Sequence, residues 1–248
     1  MRKPMVIAVT GAGGFVGQAV VAHLARRNYC IRAFTRGDPP EGCENSPRCT
    51  WLRVDVTDRT ALRAATEGVD MLIHLAARKN DEKDSEQVNV EGARIVAEVC
   101  AENGIQRIIH LSTQSSHLKR RGLYGDTKKR ADDILRAGTV PVVTLCSSVI
   151  YGSAKSGVFA MLTTLSRLPV CPIVGPGTAC YWPIHRDDVA SIIEQCLLAQ
   201  QEEVCKHWEM GGPERYTYNQ LCSTIAEAQG LNPPLLHLPI SLCLMFAV

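Results

Sequence analysis

No stretch of this 248-residue chain carries the run of about 20 apolar residues that spans a bilayer, and neither sign of charge dominates it, with 27 Lys and Arg against 25 Asp and Glu. The first absence excludes membrane insertion through a helix. The second, a net charge of only +2, argues against nucleic acid or a lipid surface as partner, since both call for a basic field. The basic runs at 26–27, 119–121 and 128–130 are short and scattered, as in solvated helix ends and loops. Cys-x-x-Cys is also missing. Eleven cysteines occur without any metal-ligand spacing, so no metal is expected. Their odd number, and the apolar settings of Cys30, Cys100, Cys146 and Cys196, suit reduced, buried thiols in a cytoplasmic protein. Before the first glycines the apolar run is only five residues, too short for the core of a secretory signal.

What is present begins at Thr10. An apolar strand over residues 5–9 runs into Thr10-Gly11-Ala12-Gly13-Gly14-Phe15-Val16-Gly17, and apolar residues then recur at helical spacing at Val16, Ala19, Val20 and Leu24. The G-x-G-x-x-G pattern fails at Val16, whereas T-G-x-x-G-x-x-G fits. Gly11 permits the reversal, Gly14 removes a side chain that would block a pyrophosphate, and Gly17 lets the helix press on the sheet. The first helical turn then offers unpaired N–H groups to an anion. Strand, turn and helix of this kind point to a dinucleotide.

The rest of the chain alternates in the same way. Strands are expected at 29–34, 51–54, 71–75 and 105–111, and helices at 15–27 and 85–103, with a short one around Ala61–Ala65 capped by Thr57 or Asp58. Residues 37–50, rich in Gly, Pro and polar side chains, replace one crossover helix with a loop. An acid at the end of the second strand would serve the ribose diol of NAD, whereas an arginine there can pair with a 2′-phosphate; Arg36 occupies the strand end and Asp38 lies two residues beyond it, which favours NADP, although an arginine after a strand also serves as a solvated loop residue. Asp55 is placed either to accept from an adenine amino group or to serve its own loop. His74, inside a strand, is expected to be hydrogen-bonded in the core.

Tyr124 and Lys128 are four apart in a helical segment and share one face. An ammonium beside a phenol should lower the phenol's pKa and let it exchange a proton with a substrate hydroxyl or carbonyl. A hydroxyl from the run Ser112-Thr113-Gln114-Ser115-Ser116 would hold the same oxygen.

With His74-Leu-Ala-Ala77, Asn89-Val-Glu-Gly92, Val149-Ile-Tyr-Gly152, the 184–190 segment and Gly211-Gly-Pro-Glu214, these motifs resemble the extended short-chain dehydrogenase/reductases, in particular the NAD-dependent epimerase/dehydratase group. The resemblance implies an α/β fold with a doubly wound parallel sheet of Rossmann type at residues 1–150. It also implies a small C-terminal substrate lobe at 151–248, partly interwoven with the first domain and truncated at its end. Gly11, Gly14, Phe15 and Val16 would then hold the pyrophosphate, Arg36 the adenosine ribose phosphate, and Asp55 and Val56 the adenine. Leu75, Ala76 and Ala77 would line the middle of the coenzyme, with Ser147 and Ser148 near the nicotinamide. Tyr124 would be the acid/base and Lys128 its partner, with Thr113 or Ser115 as the hydroxyl because Gln114 occupies the usual position. The implied activity is that of an NAD(P)-dependent oxidoreductase or epimerase/dehydratase, with hydride transfer either net or transient within an epimerase or dehydratase cycle, NADP ahead of NAD, on a small molecule bearing a hydroxyl or carbonyl group, in a protein that forms a homodimer. Gln114 and the short loop at 116–123 resemble atypical members instead, in which the coenzyme serves a structural or regulatory subunit without turnover.

Overall fold

The computed structural model describes residues 4–27, 29–43, 45–79, 82–152, 157–199 and 207–241. In chain order the elements are β1 (Val6–Thr10), α1 (Phe15–Ala25), β2 (Cys30–Thr35), β3 (Cys49–Arg53), α2 (Arg59–Ala65), β4 (Met71–His74), α3 (Glu82–Ser85), α4 (Gly92–Glu102), β5 (Arg107–Thr113), α5 (Leu123–Ala137), β6 (Val142–Ser147), β7 (Ile150–Tyr151), α6 (Gly157–Leu165), β8 (Cys171–Val174), β9 (Cys180–Tyr181), β10 (Ile184–His185), α7 (Arg186–Leu198), β11 (His207–Met210), β12 (Tyr216–Thr217), α8 (Tyr218–Glu227) and β13 (Leu235–Leu238). They form two compact units, one of Met1–Ser147 with Arg186–Met210 and the other of Ser148–His185 with Gly211–Val248.

In the first unit seven strands stand in the order β3-β2-β1-β4-β5-β6-β11, and every pair is parallel. Apolar runs such as Met71-Leu-Ile and Val142-Val143 are buried along their length, as strands covered on both faces require. On one face Leu62 of α2, Val96 and Val99 of α4 and Leu135 of α5 close over Ala8, Phe34, Leu72 and Ile108. On the other, α1 lies against α7, where Glu194 takes His23 at 2.7 Å and Arg27 at 3.3 Å. The strand order reverses direction between β1 and β4, and such a reversal opens a crevice at the carboxyl ends of the strands.

Several expected boundaries shift. The segment between β4 and β5 turns helical at Glu82 and passes through a π-helical turn, Glu86–Glu91, before α4. Helix α7 starts at Arg186, so Asp187 and Asp188 lie in its first turn, favoured there by the helix dipole. The nine cysteines among the described residues are free thiols; Cys100 and Cys146 are buried as expected, but Cys30 and Cys196 are only half-buried. No helix of the described residues is long and apolar enough to cross a membrane.

The second unit has three two-stranded sheets, β7 with β10, β9 with β12 and β8 with β13, around Leu162, Cys171, Ile173, Leu221 and Cys222. Thr217 and Gln220 close a reciprocal capping box on α8: Thr217 Oγ1 accepts from the Gln220 N–H at 3.2 Å, and Gln220 Oε1 accepts from the Thr217 N–H at 2.8 Å. Its last apolar stretch forms β13, and residues 242–248 lie outside the described residues.

Candidate active site

Two glycines shape the turn after β1. Gly11 has φ +68°, and a Cβ on it would stand 2.7 Å from the Ala76 nitrogen; on Gly17 a Cβ would stand 2.2 Å from the Gly11 oxygen. Neither position admits a side chain without moving backbone. Helix α1 then begins behind Gly14, whose extended backbone supplies no side-chain cap. The N–H groups of Phe15, Val16 and Gly17 therefore head the helix at its positive dipole end, with no acceptor within the helix and none among the described residues. An anion fits that end.

Beside the turn lies a cavity of about 200 Å³, open at the carboxyl ends of four strands. Gly11 and Gly14 form one wall, Leu75, Ala76 and Ala77 another, and Arg36, Asp55 and Val56 the far end. The guanidinium of Arg36 is exposed and has no hydrogen-bond or ion-pair partner among the described residues, while exposed Asp38 does not line the cavity. Asp55 spends Oδ1 on the N–H and hydroxyl of Thr57, at 2.9 and 2.8 Å, and Asp58 caps α2 through the Ala61 N–H at 2.9 Å.

The wall formed after β4 is tied down by Thr10. Its hydroxyl accepts from the N–H groups of Leu75 and Ala76, at 3.2 and 3.4 Å, so its own proton goes to His74 Nδ1 at 2.8 Å. His74 is thereby a neutral acceptor in the core, and burial, then His110 and Lys128, holds its pKa well below the usual histidine value.

Tyr124 and Lys128 face the same side of α5. Lys128 is buried, and its ammonium donates to the Leu111 carbonyl at 2.7 Å and lies 3.2 Å from His110 Nε2. The same Nε2 is 3.0 Å from Asp132 Oδ1, and Asp132 Oδ2 accepts from the Ser112 hydroxyl at 2.7 Å. Burial lowers Lys128 to about 8 and His110 to about 4; Lys128's charge adds to the fall of His110. Burial alone would raise Asp132, but His110, Lys128 and Ser112 together hold it below its ordinary value. The expectation for the phenol is overturned. Burial, reinforced by the Asp132 charge, pushes Tyr124 up to about 12, because the lysine's charge is engaged by Leu111, His110 and Asp132. A second amine, Lys79 Nζ, sits 5.1 Å from the centroid of the Tyr124 ring.

The hydroxyls ahead of α5 are organised by a 3₁₀ turn, Gln114–His117. Thr113 Oγ1 accepts from the Ser115 N–H at 3.3 Å and shares a 3.1 Å hydrogen bond with Ser115 Oγ. Gly125 brings α5 onto this turn: a Cβ there would be 2.7 Å from the Ser115 oxygen. Ser147, buried at the end of β6, donates to the Ser112 carbonyl at 3.3 Å, while Ser148 belongs to the second unit and accepts from the Trp182 N–H at 3.1 Å.

Three polar residues that sequence reasoning left without a site role, His110, Asp132 and Asn89, connect these parts together with Ser112. His110 and Asp132 join Lys128 to the strand behind it, and Ser112 anchors Asp132. Buried Asn89 clamps Arg78 at both backbone groups, each at 2.8 Å, and donates to Thr127 Oγ1 at 2.9 Å, tying the cavity wall to α5. A buried Asn or Asp amid an apolar face was the signal available for two of them.

A model of the NAD dependent epimerase/dehydratase family matches residues 7–211. Ceramide reductase of Caulobacter vibrioides is 26% identical over 239 residues, covering 94% of this chain and 74% of that protein. NADH dehydrogenase (ubiquinone) 1 alpha subcomplex subunit 9, mitochondrial, of Arabidopsis thaliana is 24% identical over 230 residues, 88% of this chain and 56% of that protein. Among solved structures, UDP-glucuronic acid 4-epimerase of Bacillus cereus in complex with NAD superposes with a TM-score of 0.83 at 21% identity, covering 95% of this chain and 87% of that one.

Proposed function

Because the chain belongs to the NAD-dependent epimerase/dehydratase family, we propose that it is a nicotinamide-dependent reductase of small carbonyl compounds, with Tyr124 as proton donor and NADP(H) as coenzyme. The observation that carries this reading is the neutral phenol on α5 next to a turn of hydroxyls, in the same unit as a cavity headed by an uncapped helix. A phenol whose pKa stands near 12 keeps its proton at neutral pH. The phenol is therefore in the proton-bearing form that a carbonyl oxygen gaining charge requires.

The residues fit the coenzyme. Gly11, Gly14, Phe15 and Val16 would hold its pyrophosphate on the helix end, Leu75, Ala76 and Ala77 its middle, and Asp55 and Val56 its adenine. Arg36, free and lining the cavity, would pair with a 2′-phosphate, which favours NADP over NAD. When bound, the coenzyme supplies or accepts hydride at its nicotinamide ring. Lys128 holds a positive charge behind the phenol, and Thr113 and Ser115 present hydroxyls for the substrate oxygen. Ser147 would lie toward the nicotinamide.

One observation favours a second reading. Thr113 and Ser115 already satisfy each other, and one relative of 24% identity is a subunit of NADH dehydrogenase; a chain that binds the coenzyme without turnover would need no more than the cavity. Titrating NADPH and NADH by fluorescence, followed by a panel of ketones and aldehydes with wild type and Tyr124→Phe, decides between them. The proposal expects NADPH to bind and be consumed by wild type, and Tyr124→Phe to bind it and fail to turn over. Equal turnover by the variant removes Tyr124 from the chemistry, and tight binding with no consumption across the panel supports the second reading.

A further inference from the structure

One cluster of metal-binding side chains stands apart from the coenzyme cavity. It joins His117, at the end of the 3₁₀ turn after β5, Cys146 in β6 and His207 at the start of β11. Cys146 Sγ is 3.5 Å from His117 Nε2 and 4.0 Å from His207 Nδ1. The three ligand atoms lie within 4.8 Å of one another. The imidazoles meet edge to face, with centroids 4.2 Å apart and planes at 87°. Around a tetrahedral zinc, with bonds of about 2.0–2.1 Å to nitrogen and about 2.3 Å to sulfur, neighbouring donors are roughly 3.5 Å apart. The cluster is already close to that spacing.

We propose that His117, Cys146 and His207 form a binding site for zinc(II), with a fourth position left to water. A thiolate with two imidazoles is a borderline-soft donor set that suits zinc and, lacking carboxylate or carbonyl oxygens, suits neither magnesium nor calcium. The burial of the three is graded. Cys146 is buried in the sheet and His207 half-buried at its edge, while His117 is exposed, which gives the ion a fixed floor and an entry path. On binding, the Cys146 thiol releases its proton to solvent as the sulfur–zinc bond forms, and no oxidant or reductant is involved. The bound ion would tie the turn that carries Ser115 to the last strand of the sheet. The three residues come from separate elements, 29 and 61 positions from Cys146, so no sequence spacing announces them; the expectation of no metal rested on spacing alone.

Cobalt(II) is the probe for a test on the full chain after removal of metals by a chelator. The expected result is a thiolate-to-cobalt charge-transfer absorption that saturates at one ion per chain and disappears when zinc is added. Cys146→Ser should remove that absorption. His117→Ala, at an exposed position, should keep coenzyme binding while weakening cobalt binding at least about tenfold, the lower end of what losing even an outer-shell partner of a ligand costs. A chain without the absorption, or an absorption that persists unchanged in both variants, overturns the assignment. Should Cys146→Ser fail to fold, His117→Ala alone decides, because its retained coenzyme binding reports the fold.

Discussion

At the scale of single residues, what matters is which partner each charge already has. Lys128 holds its proton among Leu111, His110 and Asp132, so it cannot also hold a phenolate, and Tyr124 remains a phenol with a pKa near 12. Tyr124→Phe removes the proton donor without removing the ring. Its expected loss of carbonyl reduction is about 10²–10⁴-fold, the ordinary contribution of one general acid, with NADPH affinity retained. Arg36 is in the opposite situation, a cation with no partner among the described residues. Arg36→Ala should weaken NADPH binding by about 1.5–3 kcal/mol, roughly ten- to a hundredfold, and leave NADH nearly unchanged. Parallel titrations of the two coenzymes read this directly, and an equal loss for both would remove Arg36 from the 2′-phosphate.

At the scale of elements, the site is assembled by polar residues that join one segment to the next. Asn89, in the π-helical turn, makes three hydrogen bonds in two directions, to the chain after β4 and to α5. Asn89→Ala leaves the Arg78 backbone pair and the Thr127 hydroxyl without that partner. The expected cost in stability is about 1–3 kcal/mol for buried groups left unpaired, read as a lowered midpoint in urea. Coenzyme affinity should fall with it, since Leu75, Ala76 and Ala77 adjoin the clamped segment. A variant of wild-type stability and affinity would show that the clamp is dispensable. The glycine turn works by exclusion instead: Gly17 is needed because the Gly11 carbonyl already occupies the place of a side chain.

At the scale of the molecule, the first unit buries an unusual set of ionisable groups under its parallel sheet. His74 and His110 stack with ring centroids 5.2 Å apart, and burial lowers both, His110 to about 4. In the unfolded chain each takes up a proton near pH 6.5. Between pH 6.5 and about 4 the unfolded state therefore binds more protons than the folded one, and stability must fall as pH falls through that window. Asp132, lowered in the folded state, adds a loss in the same direction below its unfolded value near 3.8. Thermal melts from pH 7 to pH 4 should show a steadily decreasing midpoint, and a midpoint independent of pH across that range would contradict the burial of these rings.

The fold and the dinucleotide turn were legible in the sequence because each is encoded locally. A period of buried residues declares a strand or helix within one segment, and the crowding of Gly14 and Gly17 by the Gly11 carbonyl acts within eight consecutive residues, although Gly11 is also hemmed in by the backbone of Leu75 and Ala76. The loop over most of 37–50 was legible for the same reason, although β3 takes its last two residues. By contrast, the raised pKa of Tyr124, the engagement of Lys128 by His110 and Asp132, and the meeting of His117, Cys146 and His207 depend on groups from different strands and helices. Only the packed sheet determines which of those groups are brought within 4 Å and how much water is left between them, and electrostatic interaction depends on both.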